Sequence, residues 1–265
     1  MSNPLKVVVH GAAGRMGQRV TALTHADPEL TVFGAVDAIR TGEDAGEAAG
    51  IGNINVAISP ELPADQADVV IDFSVPTGLM SIVEKCVARG IPLVAATTGL
   101  SDEQKAEVAK AAESIPLLWA PSMSVAVNLT MKLVRDAARA LKDNPSGVDV
   151  EIIERHHRYK EDAPSGTALK FGEIVAEEMG QTNHIHGREG RPGARPHNEI
   201  GYHALRTGDN VGEHTIVFGM LGETIDLTVR GQSRDSYAYG ALAAAKYLVG
   251  KPAGRLYAMN DVLGF

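Results

Sequence analysis

The fold of the first half of the chain is decided by one stretch, LKVVVHGAAGRMG at residues 5–17. Its β-branched beginning predicts a strand over Leu5–His10, and the residues after the glycines predict a helix over Arg15–Ala26. Small residues between a strand and a helix let the backbone turn tightly and approach a pyrophosphate, which the free N–H groups at the helix N-terminus can bind. The stretch therefore predicts a dinucleotide-binding turn.

The glycine spacing is G-x-x-G-x-x-G, with Gly11, Gly14 and Gly17, and it differs from the commoner G-x-G-x-x-G. A second signal supports the interpretation. Asp37 follows the predicted strand Leu30–Val36, and an acid at that position can accept hydrogen bonds from an adenine ribose. The alternatives are a turn that only connects a strand to a helix, and an aspartate that only ends a strand in solvent.

The charge beside the predicted ribose site bears on the choice of cofactor. The Asp37 carboxylate repels a 2′-phosphate, so the sequence favours NADH over NADPH. Arg40 lies in the same loop, and its guanidinium could hold that phosphate if the loop turned inward. The expected cofactor is NADH or NADPH, with NADH favoured.

Composition excludes several classes of protein. The 265 residues carry 33 acidic and 25 basic side chains, a net charge of -8, whereas a nucleic-acid-binding protein needs a basic surface. Cys86 is the one cysteine, so neither an internal disulfide nor a cysteine-based zinc site is expected. No apolar run approaches the ~20 residues of a membrane helix, and the N-terminus has no signal-peptide pattern. We expect a soluble, cytoplasmic protein without nucleic-acid or membrane partners.

Apolar runs and helical patterns alternate in the first half of the chain, which is typical of a parallel sheet covered on both faces. The further predicted strands there are 69–73, 91–96 and 115–120, and the further helices are 78–89 and 101–114. The pattern then changes to helices 125–142, 166–179 and 237–248, strands 148–154, 200–206, 213–220 and 223–231, and a polar loop over 180–197. Short spacings between the last three strands allow hairpins. The predicted fold class is α/β, with a Rossmann-type parallel-sheet nucleotide domain and an α+β domain whose mixed sheet is largely antiparallel.

A second turn, Thr97-Thr98-Gly99, follows the predicted strand that ends at Ala96. It lies at the carboxyl edge of the parallel sheet, where ligands bind in open α/β folds. Its threonine hydroxyls could equally satisfy backbone groups of the turn itself. A ligand-binding role and a purely structural role are both open at this point.

The densest group of reactive side chains is ERHHRYKEDAPSGT at residues 154–167, between a predicted strand and a helix. His156 and His157 are neighbours on an extended segment and therefore point to opposite sides. Lys160 can return to the side of one of them in the loop. Histidine titrates near neutral pH, and lysine can donate a proton or neutralise a developing charge. The segment therefore indicates acid–base chemistry.

The end of the same segment predicts an anion site. Ser165 is a natural N-cap for the following helix, and the N–H groups of Gly166 and Thr167 at its first turn suit a carboxylate. Histidine, lysine and a helix N-terminus in one loop indicate acid–base chemistry on a carboxylated substrate.

Two other interpretations of this segment exist. The basic residues within 155–160 could form a solvated patch on an acidic protein, and the serine and threonine could only cap a helix. A metal site at the two histidines would need a third ligand from Glu154, Glu161 or Asp162. We expect no metal.

Six blocks of this sequence, taken together, closely resemble the dihydrodipicolinate reductase (4-hydroxy-tetrahydrodipicolinate reductase) family. They are the glycine turn at 11–17, ATTG at 96–99, APSMSVAVN at 120–128, EIIERHHRYKEDAPSGTAL at 151–169, GDNVGEHT at 208–215 and DVL at 261–263. The blocks occur in the order of the family and extend over essentially the whole chain. The H-H-x-x-K-x-D-A-P-S-G-T pattern is highly specific.

The resemblance implies a cytoplasmic homotetramer of the diaminopimelate route to lysine. Its substrate would be a small cyclic imine dicarboxylate, reduced with NADH or NADPH. The resemblance also implies a dinucleotide-binding domain of residues 1–123 and 234–265, and a substrate-binding and tetramerisation domain of residues 124–233.

The resemblance assigns roles to the residues singled out above. His156 would be the proton donor or acceptor and Lys160 the second acid. The implied substrate-binding residues are His157, Ser165, Gly166 and Thr167. The implied cofactor contacts are Gly11, Ala12, Ala13, Gly14, Arg15, Met16, Asp37, Ala96, Thr97, Thr98, Ala120, Pro121, Ser122 and Met123.

Three residues depart from the family pattern. Ala96 and Ala126 stand where glycine is usual, and Ser122 stands where asparagine is usual, so an amide donor is lost at that position. Two other functions are compatible with the nucleotide-binding pattern: a different NAD-dependent oxidoreductase of two-domain build, and a nucleotide-sensing protein without catalysis. The complete set of predicted proton donors argues against a sensor.

Overall fold

The computed structural model describes residues 3–265, which divide into two units. The first unit contains the chain up to Val125 together with Arg234–Phe265, and the second contains Ala126–Ser233. Within residues 3–265, no helix is both long enough and apolar enough to cross a membrane.

A seven-stranded parallel sheet organises the first unit. Its strands are β1 (Leu5–His10), β2 (Leu30–Val36), β3 (Ile58–Ser59), β4 (Val69–Asp72), β5 (Leu93–Ala95), β6 (Leu117–Trp119) and β12 (Leu256–Tyr257). They lie in the order β12-β6-β5-β4-β1-β2-β3. The helices of this unit are α1 (Arg15–Ala26), α2 (Ala45–Ala48), α3 (Pro76–Arg89), α4 (Asp102–Ala111), α7 (Asp235–Leu248) and α8 (Met259–Leu263).

The central strands of this sheet are buried on both faces. Val7, Val8 and Val9 of β1 have no exposed area, and they contribute alternately to two apolar clusters, as the two faces of a strand require. The predicted Rossmann-type parallel sheet is confirmed. Because the strands are parallel, the residues that follow them lie at one carboxyl edge, which positions the predicted cofactor contacts.

A five-stranded mixed sheet organises the second unit. Its strands are β7 (Asp149–His156), β8 (Asn183–His186), β9 (Glu199–Arg206), β10 (Gly212–Met220) and β11 (Glu223–Gly231), in the order β11-β10-β7-β9-β8. Strand β10 pairs antiparallel with β7 and β11, whereas β9 pairs parallel with β7 and β8. The predicted mixed sheet is confirmed, but it is not largely antiparallel, because two of its four strand pairings are parallel. Helices α5 (Val125–Leu141) and α6 (Gly166–Met179) supply apolar side chains to the core of this unit.

Three further details of the second sheet differ from the prediction. The polar segment 180–197 is not all loop, because it contains the edge strand β8, whose largely exposed polar residues give no alternating apolar pattern. Strands β9 and β10 do not form a hairpin, because β9 lies on the opposite side of β7. Strand β7 also continues to His156, two residues beyond its predicted end.

Candidate active site

The glycine turn after β1 leaves no room for a side chain at Gly11 or Gly17. A Cβ on Gly11, where φ is +77°, would lie 2.6 Å from the carbonyl oxygen of Phe73, and one on Gly17 would lie 2.0 Å from the carbonyl oxygen of Gly11. The backbone N–H groups of Arg15, Met16 and Gly17 in the first turn of α1 have no acceptor among the described residues. Three free donors at the positive end of a helix fit the pyrophosphate of a dinucleotide.

Asp37 is tied to this turn. One carboxylate oxygen accepts a hydrogen bond from the Ala13 N–H (3.0 Å) and the other from the Ile39 N–H (3.2 Å). The aspartate therefore does more than end a strand in solvent. The Arg40 guanidinium is paired with the Glu43 carboxylate, and its Nε lies 2.6 Å from Oε2. The carboxylate at the predicted ribose site is held in place, and the neighbouring guanidinium already has an acidic partner.

The predicted turn at Thr97 is held by a buried carboxylate that the sequence analysis missed. Asp72, at the end of β4, has no exposed area and accepts a hydrogen bond from the Thr97 hydroxyl (2.6 Å). It also accepts one from the Ser74 hydroxyl (2.6 Å) and pairs with His10 Nδ1 (2.7 Å). The Trp119 indole N–H donates to the Thr97 carbonyl (3.0 Å). Asp72 thus joins the ends of three neighbouring strands at the carboxyl edge.

The predicted cofactor contacts after β5 and β6 differ in exposure. The exposed side chains are Thr98 and Pro121, Ser122 is half-buried, and the buried ones are Ala96, Thr97, Ala120 and Met123. Buried members of this set can reach a cofactor only through their backbone or through a small exposed edge. Ala96, which stands where glycine is usual in the family, is itself 9% exposed.

In the second unit, His156 ends β7 and is buried. Its Nδ1 lies 2.6 Å from Oε2 of Glu154, two residues earlier and therefore on the same face of the strand. His157 is only half-buried, and its Nδ1 is enclosed without a partner among the described residues. The two histidines thus occupy different surroundings.

Glu154 is the centre of a network that the sequence analysis considered only as a metal ligand. The Arg206 guanidinium donates to both of its oxygens, at 2.7 and 2.8 Å, and the Ser165 N–H donates at 3.0 Å. Arg206 also donates to the Asp162 carbonyl (2.6 Å), and Lys160 Nζ lies 2.8 Å from the Asp162 carboxylate. The strand, the loop and the start of α6 are therefore connected through polar contacts.

The N-terminus of α6 has the predicted cap. The Ser165 hydroxyl accepts a hydrogen bond from the Ala168 N–H (3.2 Å) and lies 3.0 Å from His214 Nε2. The N–H groups of Gly166 and Thr167 have no acceptor among the described residues. The structure therefore leaves two donors at the positive end of this helix for an anion such as a carboxylate.

The charge states in this network follow from burial and pairing. Burial opposes ionisation of Glu154, but the hydrogen bonds from Arg206 and His156 outweigh it, so the pKa of this carboxyl lies below its ordinary value. Burial lowers the pKa of His156, and the charges of Lys160 and Arg206 lower it further against the opposing effect of Glu154. Burial also lowers the pKa of His214, to about 4. At neutral pH, Glu154 is charged and His214 is neutral.

Gly212 lies in the GDNVGEHT block, and the structure gives a local reason for a glycine at this position. A Cβ at this position would lie 3.0 Å from Nε2 of His156, the nitrogen that does not face Glu154. Glycine therefore keeps that nitrogen clear of a neighbouring side chain.

Among residues 3–265, no group of three or more His, Cys, Asp or Glu side chains could hold a metal ion.

Comparison with known proteins covers both units. A family model described as "Dihydrodipicolinate reductase, N-terminus" matches residues 5–123, and one described as "Dihydrodipicolinate reductase, C-terminus" matches residues 126–263. A 4-hydroxy-tetrahydrodipicolinate reductase from Rhodopirellula baltica is 57% identical over 272 residues, which cover 99% of this chain and 97% of that protein. One from Anaeromyxobacter dehalogenans is 46% identical over 267 residues, covering 98% and 97%.

The fold also matches a solved structure. A dipicolinate-bound dihydrodipicolinate reductase from Paenisporosarcina sp. TG-14 superimposes with a TM-score of 0.73 at 23% identity, over 96% of this chain and 97% of that chain. At this level of identity, the match supports the fold.

The buried neutral His214 predicts a specific loss of stability in acid. Below the ordinary histidine pKa of about 6.5 the unfolded chain binds a proton at this residue, whereas the folded chain does so only near pH 4. The free energy of unfolding should therefore fall by up to roughly 3 kcal/mol from this residue as the pH falls from about 6.5 to 4. His214→Gln should remove that part of the loss, as measured by denaturant unfolding at a series of pH values.

The exposed His25 supplies the control, since His25→Gln should leave the acid loss unchanged. Identical pH dependence in wild type and His214→Gln would contradict a buried neutral His214.

Proposed function

This chain belongs to the dihydrodipicolinate reductase family, and we propose that it reduces 4-hydroxy-tetrahydrodipicolinate to tetrahydrodipicolinate in the diaminopimelate route to lysine. Members of the family are NAD(P)H-dependent reductases with a Rossmann-like domain. The observation that carries the proposal is one strand–loop–helix segment that holds a buried imidazole, an ammonium group and two free helix N–H donors. When bound, the reduced nicotinamide supplies the hydride.

The start of α6 is proposed to bind the substrate. A cyclic dicarboxylate needs donors for each carboxylate, and the free N–H groups of Gly166 and Thr167 serve one of them. Ser165 acts by shaping this site, because its own N–H and hydroxyl are engaged with Glu154, Ala168 and His214. His157, which is half-buried, supplies a further contact, as the family resemblance implies.

His156 and Lys160 are proposed to supply the proton that completes the reduction. The Nδ1 of His156 is engaged with Glu154, so its Nε2 is the nitrogen that exchanges a proton with substrate. Lys160 is the second acid, and its side chain is 22% exposed and paired with the more exposed Asp162. Both groups lie on the segment that leads into the proposed carboxylate site.

NADH is proposed as the preferred cofactor. Two backbone N–H groups fix Asp37, so its negatively charged carboxylate is held just after β2. There it can accept hydrogen bonds from the adenine ribose. Arg40, the group that would favour a 2′-phosphate, is paired with Glu43. Both features disfavour NADPH.

A homotetramer and a cytoplasmic location are proposed from the family resemblance. Support for self-association comes from the mixed sheet. Ile153 and Leu205 are 39% and 43% exposed on strands whose neighbouring residues face the apolar core. Exposed apolar side chains on such a sheet favour contact with further copies of the chain.

The proposed role of Lys160 predicts a large kinetic effect. Lys160→Ala should lower the turnover number by about 10²- to 10⁴-fold, as loss of a general acid does, while NADH binding stays within twofold of wild type. The assay is NADH oxidation with the substrate generated in situ by the preceding synthase.

Lys170→Ala is the matched control, because Lys170 also pairs with a carboxylate, that of Glu173, but lies on the exposed side of α6. A wild-type enzyme that oxidises neither nicotinamide would refute the proposed function. Loss of NADH binding in Lys160→Ala would contradict the proposed role, because it would indicate that this lysine belongs to the cofactor site and not to the substrate site.

The role of Asp37 predicts a change in cofactor preference. Asp37→Ala removes ribose acceptors and the charge that repels a 2′-phosphate, so kcat/KM with NADH should fall about tenfold, the equivalent of ~1.4 kcal/mol, and the NADH-to-NADPH ratio should fall with it. Both cofactors are measured on wild type, Asp37→Ala and Asp68→Ala. Asp68 also accepts a backbone hydrogen bond, from the Lys6 N–H, but lies at the opposite edge of the sheet. An unchanged ratio in Asp37→Ala would exclude this role.

The proposed assembly is tested by sedimentation. Ile153→Asp should convert a tetramer into smaller species, because it places a charge on the exposed sheet face, whereas Val87→Asp on the exposed side of α3 should not. A monomeric wild type, or a tetrameric Ile153→Asp, would argue against this face as the contact.

A further inference from the structure

Glu154 has almost no contact with solvent. It is 1% exposed and accepts hydrogen bonds from the Arg206 guanidinium, the Ser165 N–H and the His156 ring. A buried carboxylate is tolerated only when its charge is paired and its oxygens have donors, and here both conditions are met. Arg206 makes the two-pronged contact that is specific to a guanidinium.

This arrangement restricts the His156 ring to one tautomer. An ionised carboxylate accepts hydrogen bonds and cannot donate them, so the nitrogen that faces Glu154 must be Nδ1–H. Nε2 is then the nitrogen that gains and loses a proton. Gly212 leaves the space beside that nitrogen free of a side chain.

The same guanidinium also reaches the loop that carries Lys160. A nitrogen of Arg206 that contacts Glu154 also donates to the Asp162 carbonyl, and the Asp162 carboxylate pairs with Lys160. One side chain on β9 therefore contacts the carboxylate that orients the imidazole and the residue that pairs with the ammonium group.

We propose that Glu154 and Arg206 are positioning residues that fix the His156 tautomer and hold the Lys160 loop beside it, so that the two proton donors act as one unit. This inference rests on the proposed function, since it assigns the support of the same proton donors. Neither residue touches substrate in this account. Both act through their neighbours, Glu154 through the ring of His156 and Arg206 through Glu154 and Asp162.

The kinetic test compares wild type with Glu154→Gln and Arg206→Lys. Glu154→Gln removes the negative charge beside the imidazole and leaves that of Arg206 unbalanced, so the pKa of His156 should fall further. If protonated His156 is the acid, kcat/KM declines as the pH rises through this pKa, and the decline should move to lower pH in Glu154→Gln. We also expect kcat to fall at least tenfold and the NADH dissociation constant to stay within twofold of wild type.

Arg206→Lys keeps the positive charge but loses the paired hydrogen bonds that the guanidinium donates to both Glu154 oxygens. It should lower kcat but change the pH profile less than Glu154→Gln does. Activity of Arg206→Ala should recover in part when guanidinium ion is added at millimolar concentration.

Glu178→Gln is the matched control for Glu154→Gln. Its carboxylate is held by Arg139 at 2.7 and 3.0 Å, away from His156, and its loss should leave kcat and the pH profile unchanged.

A second measurement does not depend on turnover. In ¹⁵N-labelled wild type, NMR should show His156 with its neutral-state proton on Nδ1, and Glu154→Gln should shift the ring toward the Nε2–H form. If Glu154→Gln does not fold, Glu154→Asp serves in both tests, because it keeps the charge but shortens the side chain by one methylene and so withdraws the carboxylate from His156 Nδ1.

The outcomes separate the inference from the proposed function. An inactive wild type with the Nδ1–H tautomer would refute the reductase assignment and leave the positioning network supported. An active wild type whose Glu154→Gln variant keeps its kcat, pH profile and tautomer would overturn the network. A loss of kcat that is explained by lowered thermal stability alone, with an unchanged pH profile, would also overturn the network.

Discussion

A buried carboxylate at or near the end of a strand, with a donor for each oxygen, is the constraint on which each unit of this protein depends. In the second unit that carboxylate is Glu154, and in the first it is Asp72. An unpaired charge in either place would cost several kcal/mol, roughly the range measured for broken buried pairs. Each carboxylate therefore needs its donors, and through them it holds several chain segments together. Rigid placement of reactive groups is what such networks contribute to a site.

The two carboxylates serve different parts of the proposed reaction. Asp72 holds Thr97, whose carbonyl accepts the Trp119 indole N–H, and so orders a turn expected to contact the cofactor. Glu154 orders the proton-transfer groups and, through the Ser165 N–H, the start of the helix expected to bind a substrate carboxylate. The predicted cofactor contacts and the predicted proton donors thus have separate supports, so we expect substitutions in one to leave binding at the other intact.

Local patterns predicted much of the fold. The β-branched runs and the glycine turn indicated the parallel sheet, and its central strands follow them closely because these strands are buried on both faces. The short elements α2, β3, β12 and α8 were missed, since two to five residues give no period. Strand β8 was missed because its exposed residues have no apolar face. The pairing of β9 with β7 is set by tertiary packing that hairpin spacing does not encode.

The candidate site was predictable where it is continuous in sequence and not where it is assembled from distant strands. His156, Lys160 and the cap at Ser165 lie in one segment, so residue type and spacing were enough to select them. Arg206 and His214 come from β9 and β10, and only the sheet register brings them to Glu154 and Ser165. Asp72 had a usable signal, an acid at the end of a buried strand, that went unused. The roles assigned to the site residues stay predictions.

The central claim is that the proton donors and the helix N-terminus of one segment act on a cyclic dicarboxylate. A crystal structure of this protein with dipicolinate bound tests it most directly, through the distances from the ligand to the Gly166 and Thr167 nitrogens and to His156 Nε2. We expect a carboxylate oxygen at about 2.7–3.2 Å from the two backbone nitrogens, with the ring of the ligand beside Nε2. A dicarboxylate bound elsewhere, with both N–H groups solvated, would contradict it.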